Sequence, residues 1–366
     1  MPGPYSFQPE GRIGDATLSP ATDPRFNPKL VKALATQGWE NNLPIGIADE
    51  NSPLEQLTKE MRAQHYGFSE GFAAIPNYLA KDVNEPPVDR KTHVAQGVDG
   101  NHVKLYVFRK SGTEDQVLPC VVYIHGGGMT TLDTLRPGNV RWLTDLAQQG
   151  VVSIAIDFRN AWSETEYNPF PAGLNDCAAA VRYIASHKDE LGIGKITLEG
   201  ESGGANLCLA TALKANQEGW IKDIDGVYAY SPNVCNVYGW PAERIAREFP
   251  SRLANDGYMF DTAGAGAMQS YYAPNIQDRT HPIAFPYYAT VEMCRGLPPH
   301  IIRVDELDPL RDEGIAYYRK LCSAGVDAVG SVNLGVTHGS MVLFRRAISE
   351  LHSAGMREIV GFAKSL

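Results

Sequence analysis

Ile196-Thr197-Leu198-Glu199-Gly200-Glu201-Ser202-Gly203-Gly204 carries a short apolar strand, Ile196 to Leu198, into a glycine-flanked serine that opens a helical pattern reaching about Asn216. A strand-to-helix turn of the form G-x-S-x-G holds its serine in a strained conformation, with the hydroxyl exposed above the sheet. Glycines are needed on both sides because side chains there would meet the neighbouring strand and helix. The helix that follows points its positive end at the serine and favours developing negative charge. At ordinary glycine and serine content the five-residue pattern arises by chance in roughly one chain in six, so its place between a strand and a helix carries the weight. The competing reading is a plain Gly-Ser loop.

Working outward, strands and helices alternate. Val103 to Phe108, Leu118 to Ile124, Val151 to Ile156, Gly226 to Tyr230, Ile301 to Val304 and Val329 to Asn333 read as strands. Helical patterns cover Val140 to Gln149, Ala172 to His187 and Glu313 to Ser323, with a closing helix beginning near Met341. This alternation predicts an α/β protein with a mainly parallel central sheet flanked by helices. Such sheets place their chemistry at the carboxyl ends of the strands. The first hundred residues differ: they are rich in Pro and Asn, with one helix start at Ser52-Pro53-Leu54-Glu55. Ser52 suits the cap, Pro53 the first helical position and Glu55 a capping box. Leu54, Leu57 and Met61 give one apolar face, and Gly67 is the expected stop. The division expected is a helical cap over residues 1–100 and a catalytic domain over 101–366.

A serine alone is a poor nucleophile and needs a base. Beyond Ser202 the histidines are His281, His300, His338 and His352. His338 lies in Gly335-Val336-Thr337-His338-Gly339, after the last strand and before the last helix, from where an imidazole reaches back to the serine. His300 begins a strand and His352 sits within a helix; His281 is the rival. For the orienting carboxylate, Asp308 lies on a loop before Pro309, while Asp305 and Glu306 are nearer the strand end and stay open on spacing alone. His125-Gly126-Gly127-Gly128 follows the strand ending at Ile124. Consecutive glycines let backbone N–H groups approach a substrate oxyanion, each such donor being worth about 3 kcal/mol to the transition state. Gly127, Gly128 and Gly203 are the expected donors, and His125 is expected to anchor the loop. A phosphate loop would end in Gly-Lys-Ser/Thr, whereas this one continues Met129-Thr130-Thr131.

Together these segments, with Asp308-Pro309-Leu310-Arg311-Asp312, resemble the hormone-sensitive-lipase-like carboxylesterases, which have the α/β-hydrolase fold. The likeness runs over about residues 100–366 and includes Asp157-Phe158-Arg159 and Phe170-Pro171-Ala172-Gly173-Leu174-Asn175-Asp176. The resemblance implies Ser202, Asp308 and His338 as the catalytic triad and supports Gly127, Gly128 and Gly203 as the oxyanion hole. It also implies a bacterial branch acting on a macrocyclic lactone. The family's turn commonly reads Gly-Asp-Ser-Ala-Gly; Glu201 keeps the acidic character, and Gly203 is expected to leave more room or mobility beside the oxyanion.

Composition bounds the partners. The formal charge of −9 disfavours nucleic acid and anionic membrane surfaces, and no apolar run is long enough for a membrane span. Met1-Pro2-Gly3-Pro4-Tyr5-Ser6 lacks the basic stretch and apolar run of a signal peptide, so a cytoplasmic location is expected. Cys120, Cys177, Cys208, Cys235, Cys294 and Cys322 form no C-x-x-C pair, and most of them are expected to be small buried hydrophobes. No metal-ligand spacing occurs among the histidines, so neither metal nor cofactor is expected. The expected partner is a small-molecule ester or lactone. From Tyr228 to Tyr288 runs an aromatic-rich stretch, including Tyr238, Trp240, Tyr258, Phe260, Tyr271, Tyr272, Phe285 and Tyr287. It is expected either to line an apolar pocket or to pack cap against core. Two other functions fit the same residues: a non-catalytic small-molecule-binding module on this fold, and an amidase or peptidase with the same triad.

Overall fold

A computed structural model describes residues 9–42, 46–75, 79 and 84–366. Eight strands form one sheet: β1 (Val88–Gln96), β2 (His102–Lys110), β3 (Leu118–Ile124), β4 (Val152–Asp157), β5 (Ile193–Glu201), β6 (Gly226–Tyr230), β7 (His300–Asp305) and β8 (Ala328–Asn333). Their spatial order is β1-β2-β4-β3-β5-β6-β7-β8. Pairing is antiparallel at β1–β2 and β2–β4 and parallel from β4 through β8. Helices of eight residues or more are α1 (Pro28–Ala35), α2 (Leu54–Ala73), α3 (Pro137–Gln148), α4 (Ala172–Ser186), α5 (Gly203–Gln217), α6 (Thr262–Tyr272), α7 (Arg311–Ser323) and α8 (Ser349–Ser365). Among the described residues no helix is long and apolar enough to cross a membrane.

The sheet is covered on both faces, which is why its central strands read as unbroken apolar runs. Val121 and Tyr123 point to the side of Trp142, Leu143, Ile359 and Val360 on α3 and α8. Val122 and Ile124 point to the opposite side, with Val181, Ile184, Leu207 and Leu209 of α4 and α5. Period-two alternation along one strand thus feeds two cores. A third cluster joins Phe26, Leu30 and Leu34 to Tyr258, Leu307, Val336 and Phe344. It fastens the N-terminal segment over the carboxyl ends of the strands.

Several local readings are corrected. β1 lies before the boundary expected at residue 100 and belongs to the sheet. It is an edge strand, mostly exposed and rich in charge, so it carries no apolar run to betray it. Ser52 does not cap α2; its hydroxyl donates to Asp49 Oδ1, and Pro53 occupies the cap position with no side-chain bond. Helix α2 does not stop at Gly67 but continues to Ala73, because packing outweighs the roughly 1 kcal/mol intrinsic penalty of a mid-helix glycine. The closing helix is broken: Ser340–Leu343 forms one turn and α8 starts at Ser349. The cysteines need no such correction: most are buried as expected, five of the six, with Cys322 exposed.

Candidate active site

β5 runs into α5 through Ser202, whose backbone adopts φ 57°, ψ −121°. A residue with a side chain pays for that geometry, and the surroundings enforce it. A Cβ on Gly200 would lie 2.6 Å from Ile124 O, and one on Gly204 1.9 Å from the same atom. The Ser202 N–H donates to Tyr230 O at 2.9 Å. Although Ser202 sits at the start of α5, its side chain does not cap the helix. The hydroxyl has no hydrogen-bond partner among the described residues, and the residue lines a cavity of ≈ 250 Å³.

His338 lines the same cavity. Its Nδ1 donates to Asp308 Oδ2 at 2.8 Å. An ionised carboxylate only accepts, so the proton sits on Nδ1 and Nε2 keeps its lone pair. Asp308 is fully buried, and its other oxygen accepts from Leu310 N at 2.8 Å. No His338–Ser202 hydrogen bond is formed in this state; such contacts commonly tighten only around substrate. Burial pushes the His338 imidazole down, but the charge and hydrogen bond of Asp308, backed by Asp305 and Glu201, outweigh it and hold it above its ordinary value.

The other candidates have different work. Asp305 accepts from Tyr230 Oη at 2.6 Å, Ser231 Oγ at 3.1 Å and Asn333 Nδ2 at 2.8 Å. Glu306 accepts from Gly335 N. His281 accepts from Ile283 N and packs on Phe170. His300 is bonded through Nδ1 to Pro298 O, and His352 faces Met341 O and Asp145. None of these histidines lines the cavity.

Gly127 and Gly128 have φ +111° and +62°. Gly127 O accepts from Thr130 N and Thr131 N, each at 3.0 Å. The amides of Gly127, Gly128 and Gly203 donate to nothing among the described residues, although the first two glycines line the cavity. A Cβ on Gly203 would lie 2.5 Å from Met129 N and 2.7 Å from Gly128 N. The expectation that Gly203 leaves extra room is therefore reversed: the loop backbone fills that space. His125 bonds through Nδ1 to Gly126 O at 2.7 Å and stacks on Phe158.

Glu201, in the resemblance only a departure from the family's turn, ties the two glycine segments together. Its Oε1 accepts from Gly126 N at 3.0 Å and from Tyr123 Oη at 2.9 Å, with Arg136 Nη2 3.7 Å away. Burial pushes its carboxyl up against these three opposing partners.

The cavity walls come from both sides of the chain: Trp39, Phe68 and Phe72 from the N-terminal segment, Met259, Phe260 and Met268 from the excursion between β6 and β7. Of the aromatic-rich stretch only Phe260 lines the cavity, 4.7 Å from the His338 ring. The others pack: Trp240 on Phe249, Phe249 on Tyr287, and Tyr272 on Phe285. The spacing of Phe68 and Phe72 on one helical face was a signal available in the sequence; that of Trp39 was not.

A family model described as alpha/beta hydrolase fold matches residues 121–342. Esterase LipI of Mycobacterium tuberculosis is 31% identical over 291 residues, covering 76% of this chain and 85% of that protein. A solved structure described as brefeldin A esterase, a bacterial homologue of human hormone sensitive lipase, is 42% identical with a TM-score of 0.93, covering 98% of both chains. The structure of esterase Est22 is 35% identical with a TM-score of 0.80, covering 94% of this chain and 99% of that one.

Proposed function

This chain belongs to the alpha/beta-hydrolase family as a hormone-sensitive-lipase-like carboxylic ester hydrolase, and from that premise we propose that Ser202 is its nucleophile, His338 its general base and Asp308 the carboxylate that orients the base. The observation carrying this reading is the 2.8 Å Asp308–His338 bond opening on the cavity that Ser202 lines. His338 Nε2 takes the Ser202 proton as the hydroxyl attacks the ester carbonyl, and Asp308 stabilises the imidazolium that forms. The amides of Gly127, Gly128 and Gly203 receive the oxyanion. His338 then protonates the leaving alcohol, and water cleaves the acyl-enzyme by the same route. The N-terminal segment and the excursion between β6 and β7 act together as the cap.

For substrate we propose an apolar ester, with a macrocyclic lactone as the first candidate. The mainly apolar cavity lining supports it, as does the likeness to a brefeldin A esterase over nearly the whole chain. The test is a hydrolysis screen of short esters, long esters, lactones and amides, run beside active-site labelling with a phosphonate. We expect ester and lactone turnover and one equivalent of label on Ser202; label on another residue rules the assignment out. A preference for amides would favour the amidase reading, and no turnover would favour a binding module.

The raised His338 value sets a pH dependence. Catalysis needs the neutral imidazole, and the folded site favours the charged one. The acid limb of kcat/KM should therefore have its midpoint above the ordinary histidine value of about 6.5. Activity should drop about tenfold for each further pH unit below it. A profile with its midpoint at or below that ordinary histidine value would contradict the balance of charges described for the site.

A further inference from the structure

We propose that Asn233 is a specificity-determining residue whose Nδ2 holds a second oxygen of the substrate, so that the preferred esters carry an acceptor oxygen away from the scissile carbonyl. The proposal rests on the reading that Ser202 attacks the ester. Asn233 follows the carboxyl end of β6, where α/β sheets place ligand contacts. Its backbone N–H donates to Ser202 O at 3.2 Å, and its carbonyl accepts from Asn206 Nδ2 at 2.7 Å. It is therefore locked to the nucleophile turn.

The direction of its side-chain amide follows from hydrogen-bond logic. Gln269 Nε2 donates to Cys235 O at 3.0 Å, and a backbone carbonyl can only accept. The group facing Cys235 is thus the NH2 of Gln269, and its remaining N–H needs an acceptor. That acceptor is Asn233 Oδ1, at 2.6 Å. The amide of Asn233 is in this way turned with Nδ2 away from Gln269, and Nδ2 has no partner among the described residues. Asn233 is 1% exposed, and it lines the cavity beside Phe68, Phe72, Phe260 and Met268. An amide donor left unpaired against apolar walls is costly unless the ligand satisfies it. A ketone, hydroxyl, ether or second ester carbonyl does so; an all-carbon chain does not.

The experiment compares 4-nitrophenyl alkanoates with keto esters of matched length, the ketone being moved carbon by carbon along the acyl chain. Alkoxyalkyl esters probe the alcohol side. In the unmodified enzyme at least one oxygenated ester should exceed its all-carbon partner in kcat/KM by roughly tenfold, equivalent to about 1.4 kcal/mol. Asn233→Ala should bring that ratio close to one. Because both substrates are measured on one preparation, the folded fraction cancels. Asn233→Asp, which keeps an acceptor for Gln269 and removes the donor, serves if the alanine variant does not fold. An unchanged ratio in the variant, or no preference anywhere in the series, overturns the proposal. Phosphonate labelling separates the two failures: loss of label at Ser202 strikes the nucleophile assignment, whereas the substrate ratio strikes Asn233.

Discussion

Ser202→Ala, His338→Ala and the double variant are expected to lose nearly the same activity, roughly 10⁴- to 10⁶-fold in kcat. The reason is that in the proposed mechanism the two side chains perform one proton transfer. Without the hydroxyl there is nothing for the imidazole to activate; without the imidazole the hydroxyl keeps its proton. Effects on such a unit do not add. KM should move far less than kcat, because the apolar walls formed by Phe68, Phe72, Phe260 and Met268 are untouched. Residual rate over water should remain, supplied by the three unpaired amides. Single-turnover kinetics on an activated ester measures this directly. A double variant losing the product of the two single effects would mean that the residues act in separate steps, and the proposed mechanism would fail.

Gly203→Ala should cost about 10²- to 10³-fold in kcat, the usual worth of one oxyanion donor. The methyl group would fall 2.5 Å from Met129 N and 2.7 Å from Gly128 N, both rigid backbone atoms. Relief requires the loop to retreat, which separates the amides of Gly128 and Gly203 from a shared oxyanion. Overpacking of this kind also costs typically 1–3 kcal/mol of stability, so a denaturant midpoint belongs beside the kinetics. Folded protein with undiminished kcat would refute the proposed donors.

Much of the proposed site was legible in the chain because its signals are local. The turn around Ser202 announces itself through glycines at adjacent positions, and steric rules for a sharp strand-to-helix turn act over those few residues. His338 could be singled out by its place between the last strand and the last helix. Asp308 could not be separated from Asp305 and Glu306 by spacing; contacts separate them, since Asp305 is consumed by Tyr230, Ser231 and Asn333. The edge strand β1 escaped because an exposed strand needs no apolar pattern. The course of α2 through Gly67 escaped because propensity is a weak force beside packing.

What the sequence determined alone was the alternation of apolar strands with helices, hence the layered sheet, and the order along it of the residues proposed as nucleophile, acid and base. Both are encoded in periodicity and short-range sterics. Tertiary structure alone decided that Glu201 grips Gly126, 75 positions away, and that Gln269 fixes the amide of Asn233. It also decided that the cavity is walled jointly by the N-terminal segment and the excursion between β6 and β7. Those arrangements depend on which hydrogen-bonding groups meet after the chain has closed, and no spacing along the chain records such a meeting.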